Sequence, residues 1–69
     1  MLLHENLFNY RIARGLTQEA VAKGSGLCLR AYQNYERGQR EPKIGAVIAL
    51  ADFYGLTLDE LVGRERADA

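Results

Sequence analysis

The sequence predicts an all-α domain of five short helices packed into one compact unit. Three observations carry this. No stretch alternates apolar and polar residues over a useful length, and no Asn-Gly or Asp-Gly pair marks a hairpin, so strands are not expected. Apolar residues recur at spacings of three and four, the period of a helix with one buried face. Glycines and N-capping residues interrupt that pattern at short intervals, so the helices are brief and closely joined.

The first helix is expected from Leu3 to Arg14, ending at Gly15, with Leu3, Leu7 and Tyr10 on one face. The second begins at Thr17, whose hydroxyl can accept from a free amide of the first turn. Leu16 before that cap and Val21 after it are placed as a hydrophobic staple. Gly24-Ser25-Gly26 is expected to break this helix after about two turns. The third runs from about Leu29 to Arg37 and stops at Gly38, with Leu27 and Tyr32 as its staple. Gln39 to Lys43 is polar, holds the single proline, and reads as a loop. In the fourth helix Ile44, Val47, Ile48, Ala51 and Tyr54 are expected to form one apolar stripe, with Gly55 just past its end. Thr57-Leu58-Asp59-Glu60 is a capping box, stapled by Leu56 and Leu61, so a short fifth helix follows and ends near Gly63. Residues 64–69 are polar and expected to fray.

Sixty-nine residues suit one domain, 1–69, and are too few for two. With 48% apolar and 26% charged residues the composition is that of a globular chain rather than a disordered one. Cys28 stands alone, so no internal disulfide can form, which suits a reducing compartment. No apolar run approaches the ~18 residues that a membrane-spanning helix needs, and the start lacks the pattern of a signal peptide. A cytoplasmic protein with no membrane partner is the expectation. His4 has no cluster of ligating residues around it in the sequence, so no metal or other cofactor is expected. No Ser-His, Cys-His or paired-carboxylate arrangement emerges either, which argues against an enzyme.

The formal net charge is zero, yet its distribution is uneven. From Arg11 to Lys43 seven basic residues (Arg11, Arg14, Lys23, Arg30, Arg37, Arg40 and Lys43) face three acidic ones (Glu19, Glu36 and Glu41). The remainder is acidic by the same margin, so any polyanion would be met by the middle of the chain. That middle contains the most informative stretch, residues 17–38: two short helices joined by a tight turn. Ala22 is small enough for a close helix crossing, and Gly26 tolerates the positive φ of a turn. Tyr32 and Tyr35 turn one side of the third helix inward. Leu29, Arg30, Gln33 and Asn34 lie on its other side, and such groups suit base edges in a major groove, Arg for guanine and Asn or Gln for adenine.

These pieces together resemble the lambda-repressor and Cro-like helix-turn-helix family, also called the xenobiotic-response-element family. The resemblance covers about Leu7 to Gly63. It rests on Gly15-Leu16-Thr17-Gln18-Glu19, Ala22, Gly26, Tyr35-Glu36-Arg37-Gly38, Pro42 and Leu56-Thr57-Leu58-Asp59-Glu60-Leu61, in order and without insertion. It implies a five-helix domain that binds double-stranded DNA as a two-fold dimer and regulates transcription, repression being the expected sign. It places Leu29, Arg30, Gln33 and Asn34 at the bases. It places Gln18, Cys28, Arg37, Gln39, Arg40 and Lys43 at phosphates, and pairs Arg11 with Glu36. Leu58 and Val62 are candidates for the dimer contact.

Several residues depart from the family pattern. Cys28 stands where Ser or Thr usually caps the recognition helix, and Leu29 replaces a residue that is usually polar, to meet a thymine methyl or to pack. Ser25 replaces a usual leucine, and Ala20 replaces the glutamate of a capping box. Cys28 at a helix N-terminus also admits an oxidant-sensing role beside the structural one. Two other functions fit the same fold: an antitoxin that masks a toxin and autoregulates its operon, and a protein-interaction domain, bound to an effector, that has lost DNA binding.

Overall fold

Short capped segments with a buried face produce five helices and, among the described residues, no strand. The computed structural model describes residues 3–63. The helices are α1 (Leu3–Ala13), α2 (Gln18–Ser25), α3 (Leu29–Glu36), α4 (Ile44–Tyr54) and α5 (Leu58–Val62). The expected segment 64–69 lies outside the described residues.

Local chemistry accounts for most boundaries. Thr17 caps α2 by accepting the Ala20 amide at 3.0 Å, and Thr57 caps α5 in a complete capping box: its hydroxyl accepts the Glu60 amide at 3.1 Å while the Glu60 carboxylate accepts the Thr57 amide at 2.9 Å. The staple positions behave alike in three places. Leu16, Leu27 and Leu56 pack against a core that includes the fully buried Val21, Tyr32 and Leu61.

That core is assembled from all five helices: Leu3 and Leu7 of α1, Val21 and Ala22 of α2, Tyr32 of α3, Val47, Leu50, Ala51 and Tyr54 of α4, and Leu61 of α5. Helix α1 packs on α3 and α5, α2 packs on α3 and α4, and α4 closes against α5. Leu7, Leu50 and Leu61 are completely removed from solvent, each contributing about 1.5–3 kcal/mol of apolar transfer free energy. Asn6 of α1 ties down α5 by donating from Nδ2 to the Leu61 carbonyl at 3.1 Å.

One expectation needs correction. The stripe of α4 is rotated: Val47, Ala51 and Tyr54 are buried as expected, but Leu50 completes the inward face, while Ile44 and Ile48 are 67% and 44% exposed. Spacings of three and four are satisfied by both sets, and the positions of α2 and α5 choose between them. Helix α2 stops within Gly24-Ser25-Gly26 after about two turns, as expected. It runs through to Ser25 and turns at Gly26, whose φ of 74° is left-handed.

Gly24 is there for a packing reason. A Cβ on its backbone would overlap the ring of Phe53 from α4, a ring that packs edge-on to Tyr54 with centroids 5.0 Å apart. Alanine in place of a helical glycine ordinarily stabilises by about 1 kcal/mol. Here Gly24→Ala is expected to destabilise by roughly 1–3 kcal/mol through overpacking. Denaturant titration checks the sign, and a gain in stability would show that Phe53 yields without cost.

Candidate nucleic-acid interface

The turn between α2 and α3 sets how the two helices present themselves. Gly26 donates to the Lys23 carbonyl at 3.3 Å and Leu27 to the Ala22 carbonyl at 2.8 Å, a closure that satisfies two of the free carbonyls at the end of α2. Ser25, where a leucine would fill more of the core, folds its hydroxyl back onto the Val21 carbonyl at 2.7 Å. Cys28 then occupies the N-cap of α3, is exposed, and makes no capping hydrogen bond with its side chain. The amide that serine or threonine would have taken is thereby left to other acceptors.

Helix α3 divides into two faces. Tyr32 is fully buried and Glu36 nearly so, with Tyr35 half-buried against the core. On the opposite side Leu29 and Arg30 are exposed, while Gln33 and Asn34 are half-buried. Arg37, Gln39, Arg40 and Lys43 are all exposed, following α3 and leading into α4. The Gln39 amide closes the end of α3 by donating to the Asn34 carbonyl at 3.0 Å. Gln18 is the first residue of α2 and half-buried. It lines an open recess with Arg11, Leu16, Thr17, Glu19, Leu29 and Gln33, so the start of α2 and the reading side of α3 share one concavity.

Beneath this surface lies an ion pair. Arg11 grips Glu36 with both ends of its guanidinium, Nε to Oε2 at 2.9 Å and Nη2 to Oε1 at 2.8 Å. A third bond runs from Nη1 to the Leu16 carbonyl at 3.0 Å. The two side chains are 13% and 5% exposed, so the pair is largely shielded from solvent. Gln18 Nε2 also donates to Glu36 Oε1 at 3.2 Å, and Gln33 Nε2 donates to Gln18 Oε1 at 3.2 Å. The sequence alone did not reveal this glutamine bridge, because its signal is the facing of two helices rather than a spacing. The Tyr32 hydroxyl lies close enough to influence the Glu36 carboxylate, but it and the Tyr54 hydroxyl are buried without a fully aligned hydrogen bond.

Burial by itself would raise the pKa of Glu36, but Arg11, Tyr32 and Gln18 beside it together hold the carboxyl below its ordinary 4.5. The hydrogen bond to Glu36 likewise holds the Arg11 guanidinium above its ordinary value, against the opposing effect of burial. A carboxyl whose folded pKa is depressed contributes stability that is complete above its unfolded value, here 4.5, and lost as the pH falls through the folded value. Wild-type stability is therefore expected to fall on acidification below about pH 4.5 more steeply than that of Glu36→Gln, which lacks this titration. Parallel slopes in melts between pH 7 and pH 2 would contradict the assignment.

Not every cation of the basic middle faces outward in the same way. Arg14 donates from Nη2 to the Tyr54 carbonyl at 3.3 Å and sits 4.9 Å from the Tyr54 ring centroid, placing positive charge at the C-terminus of α4, where the helix dipole favours it. Arg11 is consumed by Glu36. Lys23 and Arg30 are exposed, as are the four polar residues after α3. Among the described residues no group of three or more His, Cys, Asp or Glu side chains is arranged to hold a metal ion, and no helix is long and apolar enough to cross a membrane.

A short helix held across a second by a tight glycine turn, with polar groups on its outer side and a helix N-terminus beside it, defines a helix-turn-helix of the kind that docks in a DNA major groove. Residues 7–61 match the model of the HTH_3 helix-turn-helix family, and the chain belongs to that family. It is 46% identical over 52 residues to the cryptic phage CTXphi transcriptional repressor RstR of Vibrio cholerae, covering 75% of this chain and 47% of that protein. It is 44% identical over 62 residues to the HTH-type transcriptional regulator AnsR of Bacillus subtilis, covering 90% and 53%. The chain thus spans about half the length of these curated relatives. A transcriptional regulator from Listeria innocua, known from its crystal structure, superposes with a TM-score of 0.82 at 30% identity, covering 97% of this chain and 63% of that one.

Proposed function

We propose that this chain is the DNA-binding domain of a non-enzymatic transcriptional regulator, acting as a repressor. The observation that carries the reading is the outer side of α3, where Leu29 and Arg30 are exposed and Asn34 is half-buried, beside the N-terminus of α2. These three meet base edges, with Gln33 on the same side. Gln18, Arg37, Gln39, Arg40 and Lys43 meet phosphates, and Cys28 adds the free end of α3. Family membership and relatives named as transcriptional repressors and regulators support the same function. Nothing in the site calls for a cofactor, and the cytoplasm is where such a protein meets its operator.

The domain acts as a homodimer on an inverted repeat whose half-sites lie about one helical turn, ~10 bp, apart. Leu58 is 40% exposed at the start of α5, as a self-association contact requires, whereas Val62 packs partly against the core and contributes less. The test is selection of binding sites from random duplex DNA with the purified protein. A symmetric repeat, bound with strong salt dependence, is the expected result. Recovery of one asymmetric site bound by a monomer would remove the dimer from the proposal, and no salt-dependent binding would remove DNA.

A further inference from the structure

The donors and acceptors around Gln18 admit one arrangement. The Glu36 carboxylate is kept ionised by Arg11 and can only accept, so the Gln18 amide must turn its Nε2 toward it, as it does at 3.2 Å. Gln18 Oε1 is then left facing Gln33, which must answer with its own Nε2, again at 3.2 Å. Every bond of the chain runs toward Glu36, from Gln33 through Gln18, and the orientation is dictated by the one member that cannot donate. Gln18 keeps one amide hydrogen for a further acceptor, in the recess that the start of α2 shares with Leu29 and Gln33.

We infer that Gln33 is a positioning residue for Gln18: it fixes the amide that holds a phosphate, and base discrimination on this face falls to Leu29, Arg30 and Asn34. The inference rests on the DNA-binding reading above. A free glutamine samples many rotamers and must be ordered when it binds. Held at both ends of its amide, Gln18 is ordered before DNA arrives, so that entropy is not lost at association. Gln33 meanwhile commits one of its two amide hydrogens to Gln18. Its sequence position on the outer side of α3 fits a base reader, but its hydrogen bond fits a support.

Gln33→Met keeps the length and apolar stem of the side chain and removes both hydrogen-bonding groups. The wild type, Gln33→Met, Gln18→Met and the double variant are titrated with the selected duplex, with single-base-pair variants of it, and with an unrelated duplex. Side-chain amide NMR spectra of the free proteins accompany the titrations. Gln33→Met is expected to weaken binding to all duplexes by the same factor, roughly three- to tenfold, with their ranking unchanged. The double variant should be no weaker than Gln18→Met, and the Gln18 Nε2 protons of Gln33→Met should move toward the shifts of an exposed glutamine. The inference is overturned by relaxed choice at one base pair with unrelated DNA bound as before, by a double variant weaker than Gln18→Met by the full Gln33→Met factor, or by unmoved Gln18 resonances. A wild type that binds no duplex at all overturns the functional reading and this inference with it; failure of these comparisons in a protein that does bind overturns this inference alone.

Discussion

Glu36→Ala is expected to lower the unfolding free energy by about 3–5 kcal/mol, because it strands the Arg11 guanidinium in a largely dry site. The side chains are 13% and 5% exposed, and once the carboxylate is gone Arg11 keeps the Leu16 carbonyl as a hydrogen-bond acceptor and the Phe8 ring beside it. Set against the 5–15 kcal/mol typical of a whole domain, that is a large share. Chemical denaturation of the two proteins at neutral pH measures it directly. A difference below about 1 kcal/mol would mean that water reaches the pair and compensates each charge. Replacing both partners, in an Arg11→Met, Glu36→Met protein, is expected to cost less than Glu36→Ala alone, since no charge is then left without a partner.

The second large effect separates reading from holding on the proposed DNA face. Arg30→Ala should cost roughly 1–3 kcal/mol on the preferred duplex, change little on unrelated DNA, and relax the choice at one base pair. Arg40→Ala should weaken both duplexes alike and reduce the slope of log K against log salt by about one unit, because a phosphate contact carries charge but no sequence information. Both side chains are exposed and neither is tied to the core, so neither change should disturb folding. Indistinguishable profiles for the two variants across DNA sequences and salt would refute this division of the surface, even in a protein that binds DNA tightly.

Both predictions start from residues that the sequence singled out, yet only one of them needed the tertiary structure. Arg30 follows from the periodicity of α3: with Tyr32 turned inward, positions two before and two after it point away. The Arg11–Glu36 pair was implied by resemblance, and its strength depends on burial that no local pattern encodes. The glutamine bridge from Gln33 to Gln18 was not implied at all, since each residue considered alone is an exposed-type polar side chain at the start or outer side of a helix.

Element order, the Thr17 and Thr57 caps and the turn at Gly26 are legible in the residues that form them. Thr17, Thr57 and Gly26 act through backbone groups within a few residues of themselves, so their effects are written in the local sequence. The tertiary structure decided what depends on a neighbour far along the chain. Position 24 has no room for a side chain because the Phe53 ring of α4 lies over it, whereas the same glycine read locally only marks the approach of a helix end. Leu50 rather than Ile44 or Ile48 faces inward because α2 and α5 approach α4 from that side, and a spacing of three or four fits either choice. Gln18 and Gln33 are partners because the turn at Gly26 brings the start of α2 against the outer side of α3, and hydrogen bonds form between groups that packing brings within reach.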